Sequence, residues 1–297
     1  MRTRSKYIAL VLVFAVGAVP VSCARDATAP AIVTTETDTP EVKRDRVQDL
    51  RDKYGWMGDY HTDALAFVNS RLQDPKARGL SRMDKCRVAS AALKEFHKSF
   101  RKGGRPLAFT DVSTIDGLCD DAARGESRIG AYIGVVPPPE LRADLSSQAT
   151  GYMSQIERAF DADVSLGTLQ ATIYGVENAA ASSLAADEAG AVTGLASIAI
   201  SSSDYWTENL DGWGGTSGGP GTPYNRMASG GISATVVAIP GRPLSYSVGS
   251  RARAIMKADV MAALASLLAD WWMGALSLEK AALKGAAASL VAGIFQT

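Results

Sequence analysis

Between residues 254 and 296 the apolar side chains recur at the i, i+3, i+4, i+7 spacing of a helix on both sides of Gly274. A chain built this way must find partners for two apolar stripes. Val260, Met261, Leu264, Leu267, Leu268, Trp271 and Trp272 form the first stripe, with Ala262, Ala263, Ser266, Ala269 and Asp270 on the opposite face. Leu283, Ala287, Leu290 and Ile294 form the second, and Ser277 is placed to cap that helix with Glu279 in its first turn. Gly285, Ala286 and Gly293 are small enough to let the two helices approach closely. Such a pair could pack in lipid. Against this, Lys257, Asp259, Asp270, Glu279, Lys280 and Lys284 interrupt it. A charge at the bilayer centre costs about 2.5–3.5 kcal/mol, and neither segment reaches the roughly 20 apolar residues a span needs. One-sided stripes suit helices packed on a protein core. The segment 254–296 is therefore expected to be a helical hairpin within the folded domain.

The rest of the chain repeats this helical signature. Thr39 and Pro40 open a helix carrying Val42, Arg46, Val47 and Leu50, closed by Tyr54-Gly55. Asp59 is expected to cap a second helix with Leu65, Phe67, Val68 and Leu72, broken at Pro75 and Gly79. Ser81 opens a third, with Asp84 in a capping-box relation and Val88, Ala92, Phe96 and Phe100 along it, stopped by Gly103-Gly104. Residues 105–136 are less regular, with Ala131 to Val136 as a short extended piece, and Pro137-Pro138-Pro139 is a stiff break. A helix is expected from Glu140 to Phe160. Two alanine-rich helices should fill 166–209, with a bend near Gly190 or Gly194. The glycine-rich stretch Asp211 to Gly221 cannot be regular structure. Ile232 to Ile239 and Leu244 to Val248 flank Pro240-Gly241-Arg242-Pro243 and predict a β-hairpin. The fold class is mainly α: a helical bundle-like domain with a small β-hairpin.

Apolar residues make up 46 % of the 297, with 31 bases balanced by 31 acids. That length can bury a core without metals or staples. Bases and acids interleave along the chain, which predicts no nucleic-acid partner. The N-terminus is the exception. Arg2, Arg4 and Lys6 precede Ile8 to Val19, an uncharged apolar run of 12 residues. A cationic start, a short apolar run and small residues after it describe a secretory signal peptide. A buried N-terminal helix is the alternative, but three cations would then sit before it with no acid nearby. Removing residues 1–22 takes away those three bases and no acid, leaving a net charge of −3.

Val19-Pro20-Val21-Ser22-Cys23 resembles the lipobox of bacterial lipoproteins. Val21 and Ser22 fit the pattern, while Pro20 stands where that family prefers leucine. The resemblance implies cleavage before Cys23 and acylation of its thiol. The alternative is ordinary signal-peptide cleavage after Ala24, which would discard Cys23. Ala24 to Pro40 is rich in Thr, Ala and Pro and has little to bury, so it reads as a flexible tether. Its 17 residues would span about 20–25 Å as a coil. The organisation expected is a signal peptide over 1–22, a tether over 23–40 and a helical domain over 41–297. The segment from Tyr54 to Leu65, YGWMGDYHTDAL, also resembles uncharacterised exported bacterial proteins, a likeness that implies no activity.

Four groups of residues could carry chemistry. Gly215-Thr216-Ser217-Gly218-Gly219-Pro220 resembles the nucleophile motif of trypsin-like serine proteases, with Ser217 as nucleophile. Thr216 replaces that family's aspartate, and only His61 and His97 are available as a base. That family's β-barrels also conflict with the helical patterns here. Asp59, His61 and Asp63 alternate like metal ligands, but on a helix His61 points away from the two acids, and helix-end electrostatics explains both acids. No metal or other cofactor is expected. Asp204, Trp206, Glu208 and Trp213 cluster before the glycine loop. Two carboxylates beside tryptophans could hydrolyse a sugar, or an exposed Trp213 could bind one. Cys86 and Cys119 remain after processing, and in an exported chain they are expected to pair.

These readings converge on an exported, lipid-anchored envelope protein. Its expected role is scaffold or binding module, with a membrane, an envelope protein or a glycan as partner. The alternatives are an envelope hydrolase using Asp204, Glu208 or Ser217, and a membrane-active protein using its C-terminal hairpin.

Overall fold

The computed structural model describes residues 40–124, 145–210, 213, 248–272 and 277–296, all within the unit Asp38–Thr297. Outside the described residues lie the signal segment, the lipobox, the tether, Ala131 to Pro139, the glycine loop with Ser217, the hairpin expected around Pro240, and Gly274.

The described residues are mainly helical, in the order α1 (Pro40–Tyr54), α2 (Trp56–Leu72), α3 (Pro75–Arg78), α4 (Arg82–Ser99), the hairpin β1 (Arg101–Lys102) and β2 (Arg105–Pro106), and α5 (Leu118–Ala123). There follow α6 (Ser147–Ala159), α7 (Leu166–Ser183), α8 (Ala186–Asn209), α9 (Ser250–Trp272) and α10 (Leu278–Gln296). Helix starts follow local chemistry. Ser81 accepts a hydrogen bond from the Asp84 amide and donates to its carboxylate, closing α4. Ser146, Ser165 and Ser277 accept from the amides of Ala149, Thr168 and Lys280 at the starts of α6, α7 and α10.

Two expectations are corrected here. Asp59 is not the cap of α2. The helix begins three residues earlier at Trp56, after a Gly55 that offers no side-chain cap, and Asp59 lies in the first turn. A Cβ at Gly55 would sit 2.6 Å from the Arg51 carbonyl oxygen, so the tight α1–α2 corner requires glycine. The alanine-rich stretch divides at Leu184-Ala185, and α8 runs unbroken through Gly190 and Gly194. Those glycines serve packing instead: a Cβ at either would lie 2.4 Å from Tyr54 or Met57. Gly58 meets α8 from the other side. Its amide donates to Ser197 Oγ at 2.9 Å, and that hydroxyl donates to the Gly55 carbonyl at 2.7 Å. Glycines on both elements thus bring α2 and α8 within backbone reach of each other.

The core lies where α2, α8 and α10 meet, with α4 packed on α2 and α10, α9 on α8 and α10, and α7 covering α1 and α8. On α9, Val260, Leu264 and Leu267 are buried, but so are Ala262, Ala263 and Ser266 of the opposite face. Met261 and Leu268 are only half-buried. The helix lies between neighbours rather than on the surface of a core, so a single stripe does not describe it. Among the described residues no helix is long and apolar enough to cross a membrane. The only sheet among them is the antiparallel hairpin β1–β2, turned by Gly103 and Gly104 at φ 56° and 80°.

Cys86 of α4 and Cys119 of α5 are bonded to each other across a sequence separation of 33 residues. Both are buried, beside a small apolar crevice also lined by Leu93, Ile115, Leu290 and Val291. Closing a loop of this length removes enough unfolded-state entropy to stabilise the fold by about 3–4 kcal/mol. Replacing both cysteines by alanine should lower the unfolding free energy by that amount, seen as a lower urea midpoint with an equal or steeper slope, because the unlinked unfolded chain exposes more surface. A midpoint within experimental error of the parent's would mean that the cross-link contributes nothing.

Candidate functional site

Asp259 is the most unusual residue in the interior. It lies within α9 with no exposed surface. A carboxylate removed from water must be supplied with donors or charge partners. Here they come from two other helices. Ser202 Oγ donates to Oδ2, Trp206 Nε1 lies 3.3 Å from the same oxygen, and His61 Nε2 is also 3.3 Å away. Ser202 and Trp206 are four residues apart on α8, so one helix face presents both donors. Trp206 Nε1 also donates to Ser289 Oγ of α10 at 2.8 Å. Four helices therefore converge on one fully buried polar cluster.

Large aromatic rings seal one side of it. Trp206 and Trp213 pack with centroids 4.8 Å apart, and Tyr205 lies 5.3 and 5.9 Å from them. A Cβ at Gly293 would come within 2.8 Å of both tryptophans, so α10 reaches the pair only because that residue is glycine. Asp259 Oδ1 and both ring nitrogens of His61 have no hydrogen-bond partner among the described residues, so His61 meets Asp259 as a close approach and not as a hydrogen bond.

The cluster holds a serine, a histidine and an aspartate, but in the wrong order for nucleophilic catalysis. In a catalytic triad the imidazole stands between hydroxyl and carboxylate and takes the hydroxyl proton. Here the carboxylate stands in the middle, and Ser202 donates to Asp259 rather than to His61. All three side chains are fully buried. The arrangement fixes the register of α2, α8, α9 and α10 and gives Ser202 no base.

The second histidine is also committed. His97 Nε2 lies 2.7 Å from the Phe109 carbonyl, which can only accept, so Nε2 carries the proton. Nδ1 then accepts from the Tyr60 hydroxyl at 2.8 Å. Burial among Phe96, Phe100 and His97 pushes the Tyr60 phenol far above its ordinary pKa and keeps it a donor. The Phe109 amide in turn donates to Glu279 at 2.5 Å, tying the segment after the hairpin to the first turn of α10.

The residues singled out in the sequence fall as follows. Trp206 and Trp213 are both fully buried, so neither offers an exposed ring to a glycan. Asp204 and Glu208 are half-buried one turn apart on α8, and Asp204 accepts from Gln170 at 2.7 Å. His61 points into the core toward Asp259, away from any shared face with Asp59 and Asp63. Among the described residues no group of three or more His, Cys, Asp or Glu side chains is placed to hold a metal ion. Sequence reasoning missed Asp259, Ser202 and Ser289 as a unit. The available signal was an acid, Asp259, at helical spacing between the apolar Met256 and Ala263. A comparison of the chain with known protein families, with curated proteins and with solved structures finds no match.

Proposed function

We propose that the protein is exported, held at a membrane surface by an acyl chain on Cys23, and acts there as a scaffold or binding module. The observation that carries this reading is the division of labour among its three cysteines. Cys86 and Cys119 are consumed in a buried disulfide, a bond that persists in oxidising compartments and is rare in the cytosol. Cys23 remains, directly after a short apolar run and a cationic start, where a lipoprotein is acylated. The histidines support a non-enzymatic role, since both are spent inside the core, on Asp259 and on Tyr60 and Phe109.

The test is mass spectrometry of the mature N-terminus from membrane-derived protein. The expected result is an N-terminal Cys23 carrying acyl mass on its thiol. A free N-terminus at Arg25 would overturn the anchor and leave a secreted soluble protein.

A further inference from the structure

Residues 96–110 contain Lys98, Arg101, Lys102 and Arg105 and no acidic residue, although bases and acids balance over the chain as a whole. The run is short, and the interleaving of charge along the chain as a whole conceals it. In the structure it is gathered onto the end of α4 and the β1–β2 hairpin, where all four cations are exposed. The neighbouring cations of α2 and α4 are paired: Arg71 with Glu95, Arg87 with Asp84 and Asp120, Lys94 with Asp116. Among the described residues the four hairpin cations have no carboxylate partner. Arg101 donates only to the carbonyls of Lys98 and Phe100, and Lys102 Nζ lies over the Trp56 ring at 4.5 Å.

The hairpin also holds a like-charge pair in register. Lys102 stands directly opposite Arg105 in the antiparallel ladder, a placement that destabilises a sheet. The two-glycine turn forces that register, since both glycines hold the positive φ of a tight hairpin turn. A short hairpin that gathers positive charge without a carboxylate partner gains from meeting a surface of fixed negative charge.

We propose that the β1–β2 hairpin, with Lys98, docks the domain onto anionic phospholipid headgroups of a bilayer, as a second contact beside the lipid anchor. The inference rests on the membrane-tethered reading of the chain. A lipid anchor on a flexible tether holds a domain near a membrane without orienting it, and exposed cations near an anionic leaflet add about 1 kcal/mol each. Reach permits it. The hairpin lies against Trp56, at the far end of α1 from Pro40. Fifteen helical residues cover about 22 Å. The net acidic charge elsewhere would turn other faces away, so docking through the hairpin would set the domain's orientation. The hairpin has no exposed aromatic ring on which a base could stack, which favours a lipid surface over single-stranded nucleic acid.

The test compares two proteins spanning residues 23–297, both carrying Cys23→Ser so that acylation and the apolar segment of 1–22 are absent from every arm. One is otherwise unchanged. The other adds Lys98→Gln, Arg101→Gln, Lys102→Gln and Arg105→Gln. On vesicles of phosphatidylglycerol and phosphatidylethanolamine the unchanged hairpin should bind more tightly by about tenfold or more. That advantage should vanish near 1 M salt and on purely zwitterionic vesicles. Equal binding of the two proteins to the anionic vesicles overturns the proposal. So does tighter binding of the unchanged hairpin to a soluble RNA oligomer than to vesicles at matched charge. If the fourfold variant melts early, Lys102→Gln with Arg105→Gln replaces it, and Arg101→Lys with Arg105→Lys should retain binding. Failure to find acyl mass on the native Cys23 would sink the anchor without altering the vesicle result, so the two ideas fail separately.

Discussion

Replacing Asp259 by alanine should lower the unfolding free energy by about 3–5 kcal/mol, from the cavity it leaves and from buried polar groups deprived of their partner at about 1–3 kcal/mol each. The carboxylate is the acceptor on which Ser202 and Trp206 converge and the group that faces His61. Without it Ser202 loses its carboxylate partner, and the imidazole is left in an apolar interior with no counter-group. Trp206 suffers least, because Ser289 still accepts from its indole. Asparagine is the informative control. It preserves volume and one acceptor oxygen, so it should cost about 1–3 kcal/mol. Urea unfolding at constant slope reads both variants. If alanine costs under about 1 kcal/mol, within the range of ordinary surface changes, Asp259 does not organise the core as described.

The parts of this fold that were legible in the sequence are those fixed by local chemistry. Ser81 with Asp84, Ser277 with Lys280 and the Tyr54-Gly55 corner are decided within four residues of chain, and each lies where its sequence placed it. The misplacements share a different cause. Gly190 and Gly194 read as bends, because a glycine in a helix weakens it. In the structure Tyr54 and Met57 press against them from other helices, and that contact outweighs the local preference. The alternative of an exposed, sugar-binding Trp213 arose because polar and glycine residues surround it in sequence. It is buried because Trp206 offers an aromatic partner and Gly293 leaves room for both. The hairpin at Arg101–Pro106 was invisible as a strand, since two residues have no periodicity. The Asp259 cluster needed four helices to be placed before its members could be seen together.

Deleting residues 254–297 should abolish cooperative folding altogether, the largest effect expected of any change to this chain. The segment supplies most of α9 and all of α10, and α10 packs against α2, α4, α8 and α9. Leu283, Ala286, Leu290, Val291 and Ile294 are buried along its length, as are Ile255, Met256, Val260, Ala263 and Leu267 on α9. Each of the Leu, Ile, Val and Met side chains among them is worth about 1.5–3 kcal/mol of burial, while a whole domain is stable by about 5–15 kcal/mol. The loss therefore exceeds the stability available. The residues left behind make matters worse: Trp206 would lose both Asp259 and Ser289, and His61 would face solvent across an exposed apolar wall. Expression of residues 1–253 should yield aggregated protein, or a compact state with helical circular dichroism and no sharp thermal transition. The measurement is a thermal and urea melt of whatever soluble protein can be recovered. A soluble truncated chain with a single cooperative transition would show that the C-terminal pair is dispensable to the core, and would restore the reading in which it inserts into lipid.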